Sequence, residues 1–219
     1  MTTAIVWFRR DLRLADNPAL AAALAAHDRV LPVYIHAPVE AEPWAPGAAS
    51  CWWLHHALDD LDRQLGGRLL LRRGESLAEL RALIEASGAR AVYWNRQYEP
   101  AAIARDTRVK QALREHGVHC ESSNAAFLFE PWTVETGQGG PYRVYTPFWK
   151  AVRDIDPGAP VGAPKLDAPG SWPKSDALGD WALGAEMNRG GAVLSKYARV
   201  GEEAARGRLG AFMGHGVER

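Results

Sequence analysis

Three short runs of the chain hold side chains that could bind a ligand. The first is Arg9-Arg10-Asp11, with Arg13 two residues further on. Guanidinium groups offer forked donors to a ligand or to a neighbouring domain, although Asp11 and Arg13 could equally pair to fix their own loop. The second run is Trp52-Trp53-Leu54-His55-His56. Trp52 and His55 could wall in a planar ligand or face a second domain; the alternative is a Trp52 packed under residues 37–47 with the histidines solvated. Adjacent histidines on a helix point roughly 100° apart, which is poor geometry for a shared metal, so no metal centre is expected. The third run is Trp94-Asn95-Arg96-Gln97-Tyr98-Glu99-Pro100. Asn95 offers a donor and an acceptor, Tyr98 a stacking face and Glu99 a carboxylate, unless Glu99 serves only as a negative charge at a helix N-terminus.

These runs must be placed by the elements around them. Short β-branched or aromatic runs alternate with Ala/Leu-rich stretches over the first 123 residues, a rhythm that predicts βαβ units and an α/β fold: a Rossmann-like five-stranded parallel sheet flanked by helices. The strands are expected near Ala4 to Phe8, Val30 to His36, Arg68 to Arg72, Ala91 to Asn95 and Val118 to Glu121. Asn17-Pro18 reads as an N-cap followed by proline at the first helical position, and Gly66 and Gly88 stand where helices should stop. In the second helix, Leu54, Leu58, Leu61 and Leu65 form a stripe that must face the sheet, leaving Trp52, His55 and His56 on the other side. Arg9, His36 and Asn95 then all lie at the carboxyl ends of strands, where such sheets bind ligands. The chain has no G-x-x-x-x-G-K-[ST] loop, G-x-G-x-x-G turn, G-x-S-x-G elbow or H-E-x-x-H. The edge should therefore seat a flat ring held by stacking and hydrogen bonds, not a phosphate tail in a glycine cradle.

Composition bounds the rest. Hydrophobic residues make up 47% and charged residues 24% of 219 residues, room for one α/β domain and a tail. No apolar run approaches the roughly 20 residues of a membrane span, and the short apolar start before Arg9 is not a signal peptide. Two distant cysteines, Cys51 and Cys120, suit a reduced cytoplasm. Lys+Arg equals Asp+Glu at 26 each, so the chain lacks the basic excess of a module that grips DNA phosphates. From about Asn124 the rhythm breaks. A helix is expected to begin at Thr146, residues 154–200 have the Pro/Gly/Ala-rich composition of a linker, and Gly201 to Met213 is helical by propensity. The resulting division is an α/β domain over 1–135, an extended linker over 136–200 and the start of a helical domain over 201–219.

VWFRRDLRLADNPAL, AASCWWLHHALDDL, WNRQYEP and PYRVYTPFWKA, in that order over about 150 residues, resemble the amino-terminal α/β domain of the DNA photolyase/cryptochrome family, nearest to the class III bacterial branch. The resemblance implies the antenna half of a deoxyribodipyrimidine photolyase. Such proteins repair cyclobutane pyrimidine dimers by blue-light electron transfer from FAD, while the α/β domain carries a second chromophore that passes excitation to the flavin. FAD and the DNA-binding surface would belong to a helical domain beyond residue 219, so this chain alone would not repair DNA. The chromophore pocket implied here comprises Arg9, His36, Trp52, His55, Asn95, Tyr98 and Glu99. A folate such as methenyltetrahydrofolate near Trp52 is the first choice, with a deazaflavin or FMN as alternatives.

Departures from family patterns bear on that choice. Ala101 and Ala102 replace the Asn-Glu pair of one folate-binding branch, Gln97 replaces an acid of the deazaflavin pattern, and Cys51 stands where class III relatives often carry arginine. Arg143, Tyr145, Phe148 and Trp149 are expected to dock a FAD-binding domain, because an exposed aromatic cluster marks an interface. Two other functions fit the same residues: a blue-light-sensing cryptochrome fragment, and a stand-alone nucleotide-binding module.

Overall fold

In the computed structural model, residues 1–41, 44–166 and 172–215 are described. Five strands, β1 (Thr3–Phe8), β2 (Arg29–His36), β3 (Leu70–Arg73), β4 (Ala91–Asn95) and β5 (His119–Ser123), form one sheet in the order β3-β2-β1-β4-β5. Every pairing is parallel. The α/β fold expected from the sequence is the one observed.

Helices α1 (Pro18–Ala26) and α2 (Ala48–Gln64) cover one face, and α3 (Ser76–Ser87) and α4 (Pro100–Arg114) cover the other. Because strand side chains alternate, Phe8 and Tyr34 pack with Leu58 and Leu61 of α2. Trp7 and Trp94 point the opposite way, among Leu80, Leu83, Val109 and Leu113. The leucine stripe of α2 is buried as its spacing requires, with Leu54 only partly covered at the rim. Asn17 caps α1 by accepting from the Leu20 N–H at 3.1 Å. Gly88 ends α3 in the left-handed conformation at φ 67°, where a side chain would be strained.

Two strand boundaries differ from expectation by two residues, and four others by one. β3 starts at Leu70, not Arg68: the Leu69 N–H goes to Asp62 Oδ1 at 2.8 Å, and the β2 residue before the first β3 pairing is Pro32, which has no N–H. β5 runs on through Ser122 and Ser123, whose backbones pair with Trp94 and Asn95 although their side chains show no strand preference.

Beyond β5 lie α5 (Tyr145–Val152), α6 (Arg189–Leu194) and α7 (Glu202–His215). The stretch whose composition suggests a linker crosses back over the sheet. Ser175 Oγ accepts from the Leu71 N–H at 2.9 Å, and the Asp176 N–H donates to Leu71 O at 2.9 Å, so this segment lies along β3. A 3-10 turn over Leu178–Trp181 then buries Trp181 in the α1/α2-side core. The first turn of α7 is tied down: Glu202 Oε2 accepts from the Leu14 N–H at 2.7 Å and Oε1 from the Ala15 N–H at 3.2 Å. The Glu202 N–H donates to Asp60 Oδ2 at 3.3 Å. Among the described residues no helix is long and apolar enough to cross a membrane.

Candidate functional site

The strand order reverses between β1 and β4, because the chain moves outward through β2 and β3 before returning to β4. The loops leaving β1 and β4 diverge from such a point and leave a crevice. A cavity of about 510 Å³ opens there, lined by Arg10, Asp11, Arg13, Asn95 through Glu99, and Ala125 to Phe127. Its size suits a small-molecule ligand. A second cavity, of about 540 Å³, is bounded only by residues between Thr136 and Pro147 and has no sheet edge behind it.

The floor of the first cavity is a hydrogen-bonded lattice. Asn95, 3% exposed, donates to Asp11 Oδ2 at 2.6 Å and to Asn17 Oδ1 at 2.8 Å, and its Oδ1 accepts from the Ala19 N–H at 3.1 Å. Asp11 Oδ1 accepts from the Arg9 N–H at 2.9 Å. The Asp11 and Arg13 side chains fix the loop with other partners and not as an ion pair: the Arg13 N–H donates to Asp11 O at 2.7 Å, while the Arg13 guanidinium donates to Asp16 O at 2.8 Å and to Ala125 O at 3.0 Å. Arg9 follows the alternation of β1 under α4, where Nη1 pairs with Asp106 at 2.7 Å and Nη2 donates to Asn95 O. Burial lowers the pKa of its guanidinium and Asp106 opposes the shift. The Arg9 guanidinium, stacked over Trp7 at 4.6 Å, anchors the β4 end from inside the fold.

The wall belongs to Tyr98 and the loop after β5. Tyr98 Oη donates to Glu130 Oε2 at 2.8 Å and lies 3.2 Å from Asn124 Oδ1. Its ring meets Phe127 edge-on, with centroids 4.6 Å apart, and faces Trp132 at 6.0 Å. Desolvation raises the Tyr98 pKa, and the hydrogen bond to Glu130 adds to that. Arg96 donates to the same carboxylate and lies over Trp132. At the mouth, Glu99 stands at the N-cap position of α4, where its side chain makes no capping hydrogen bond, and pairs with Arg10. Its own backbone N–H and Arg10 together hold its carboxyl below the ordinary range. Glu99 is therefore both the helix-terminal charge and a cavity residue. Asn124, Phe127 and Glu130 carry no sequence signal comparable to WNRQYEP. Only the return of the chain past β4 brings them here.

The remaining candidates sit on the other half of the edge. His36, at the end of β2, stacks on Trp181 with centroids 5.3 Å apart. Burial and then Arg73 lower its pKa. Trp52 is 9% exposed and meets His56 edge-on at 4.3 Å, and the His56 ring in turn lies edge-on to His55 at 5.3 Å. The cover over Trp52 comes from far along the sequence. Gly184 lies so close that a Cβ there would be 2.6 Å from Trp52 Cα, and Gly191 approaches the indole nitrogen. None of His36, Trp52 and His55 lines the cavity with Asn95, Tyr98 and Glu99; Trp181 lies on His36, and Gly184 and Gly191 lie against Trp52.

The sequence matches the DNA photolyase family over residues 4–165. It is 48% identical to the deoxyribodipyrimidine photo-lyase of Agrobacterium fabrum over 77% of this chain and 36% of that protein. It is 40% identical to Cryptochrome-1 of Arabidopsis thaliana over 74% of this chain and 24% of the other. The structure superposes on a class III photolyase from Agrobacterium tumefaciens with a TM-score of 0.77 and 46% identity, covering 83% of this chain and 38% of that one. An archaeal photolyase from Sulfolobus tokodaii, solved with two FAD molecules, superposes with a TM-score of 0.62 at 27% identity, covering 75% of this chain and 38% of the other. The chain spans about a third of the length of the relatives it matches. A matched stretch that begins in β1 and runs past α5, with the same sheet beneath it in a solved photolyase, makes this chain a member of the DNA photolyase family and its sheet that family's amino-terminal α/β domain.

Proposed function

We propose that this domain holds a planar, anionic antenna chromophore in the cavity between the β1 and β4 loops and passes its excitation to FAD carried by a further, carboxyl-terminal domain. The carrying observation is a 510 Å³ opening at the strand reversal, with an aromatic wall at Tyr98 and Phe127 and guanidinium groups at its rim. Energy transfer asks only that a ring be held at fixed distance and orientation, away from water, so no acid or base is required. Tyr98 and Glu99 contact the chromophore, Asn95 fixes the floor and Arg9 positions Asn95 from behind. His36, Trp52 and His55 join the pocket only when residues 172–194 move aside. A folate remains the first choice because of the class III likeness, with a deazaflavin or FMN behind it. All three carry a conjugated ring; the folate adds a glutamate carboxylate tail and FMN a phosphate, while a deazaflavin at the riboflavin level ends in a neutral ribityl chain.

In the whole protein, blue-light repair of pyrimidine dimers in damaged DNA by reduced FAD is the activity this reading serves, in the cytoplasm. Residues 1–135 form the antenna domain, 136–200 the connecting segment and 201–219 the start of the flavin domain. Arg143, Tyr145, Phe148 and Trp149 are the docking residues. Tyr145 is 71% and Trp149 49% exposed, and their rings stack at 6.4 Å. The likeness to a plant cryptochrome favours a second reading, light sensing through a partner protein. The test is reconstitution of the full chain with methenyltetrahydrofolate, deazaflavin and FMN, followed by visible absorption and release of any bound molecule. One of the three should bind with a shifted absorption band. A protein that stays colourless with all three overturns the antenna proposal.

A further inference from the structure

The geometry points to Arg10 and Glu99 as an ion-pair latch over the cavity mouth, in which the acidic tail of a ring-bearing ligand displaces Glu99 and takes Arg10, with Arg13, as its counter-ions. The inference rests on the chromophore reading above and adds what the rim selects for.

Four observations carry it. Arg10 and Glu99 both line the cavity, and their side chains are 76% and 49% exposed. An ion pair that wet is held by roughly 1 kcal/mol or less, so a competing anion can open it. Glu99 is not needed to cap α4, since its side chain makes no capping hydrogen bond and Pro100 already occupies the first helical position. The guanidinium of Arg13, also on the lining, donates only to the carbonyl oxygens of Asp16 and Ala125 and has no carboxylate within ion-pair distance among the described residues. The other charged groups on the cavity are committed elsewhere. Asp11 accepts from the Arg9 N–H and Asn95, and Arg96 is neutralised by Glu130. Releasing Arg10 therefore leaves two unpaired guanidinium groups beside the aromatic wall, suited to a phosphate or carboxylate with forked acceptors.

FMN and riboflavin share one ring and differ in a single phosphate, so they separate ring from tail. With the full chain at low salt, FMN should bind about tenfold more tightly than riboflavin, the scale of one charge-assisted contact. Salt should shrink that advantage. Glu99→Gln should raise the preference for FMN over riboflavin about threefold, and Arg10→Gln should remove most of the FMN advantage. Equal affinities for the two flavins, or a Glu99→Gln effect shared by both, would overturn the latch and leave the ring site standing. If neither flavin binds, inorganic pyrophosphate read through the Arg10 side-chain NMR signal decides. Binding that strengthens in Glu99→Gln supports the latch and counts against a flavin ring here, while no response to pyrophosphate overturns the latch.

Discussion

The two halves of the sheet's carboxyl edge present opposite solutions to one problem. On the β1/β4 side the crevice is open, floored by Asn95 and rimmed by arginines. On the β2/β3 side a ring already occupies the corresponding space: Trp181, stacked on His36 and tilted against Tyr34 at 6.2 Å. The chain fills with its own indole the half that has an apolar neighbourhood, and leaves open the half where polar groups would be expensive to bury dry. An aromatic-rich strand end is thus not by itself a sign of a ligand site. What matters is whether another part of the same chain reaches it.

The comparison can be broken most severely at the filled half. Trp181→Ala should cost about 3 kcal/mol in denaturant unfolding, as for other large buried aromatics, and should make His36 accessible to chemical modification. A loss under about 1 kcal/mol would mean that the segment merely rests on the sheet. Gly184→Ala should cost about 2 kcal/mol, because the residue has φ 82° and a methyl group would strike the Trp52 backbone. Its signature is a change in near-ultraviolet circular dichroism from Trp52. At the open half, Tyr98→Ala should leave unfolding nearly unchanged while weakening the bound chromophore roughly tenfold, the loss of one stacking face. Titration by equilibrium binding checks it.

The smallest effect is one of pH. His36 has a folded pKa below its ordinary 6.5, so the unfolded chain takes up protons first as pH falls. The stability tied to neutral His36 is fully present above about pH 6.5 and is lost as pH falls through the lower folded value. Unfolding followed from pH 7.5 to 5 should show a shallower decline in His36→Phe than in the parent. Identical slopes would mean that the stack on Trp181 does not depend on the charge of the imidazole.

The sequence makes the sheet legible because its signals are local: Asn17-Pro18, Gly88 and the α2 leucine stripe each fix an element by short-range physics. Asn95, Tyr98 and Glu99 of WNRQYEP are readable as cavity residues for the same reason, since a strand end followed by a helix start has one place to go. The role of Trp52 is not. Its spacing on α2 places it away from the sheet, and the segment that carries Gly184 and Gly191, more than 130 residues later, packs against it. Arg9 misleads in a related way. A charged residue at a strand's carboxyl end suggests the crevice, but side-chain alternation sends it under α4, to Asp106. Glu130 likewise becomes visible only once long-range contacts are known.

The fastening of α7 has a mechanical consequence. Fourteen helical residues make a rod about 21 Å long, and its side chains at Leu209, Phe212 and Met213 are largely exposed. One end is riveted through Glu202 to the amides of Leu14 and Ala15, the residues directly after Arg13. A load applied further along α7 therefore reaches the backbone beside the cavity rim through Glu202, which is also tied to Asp60.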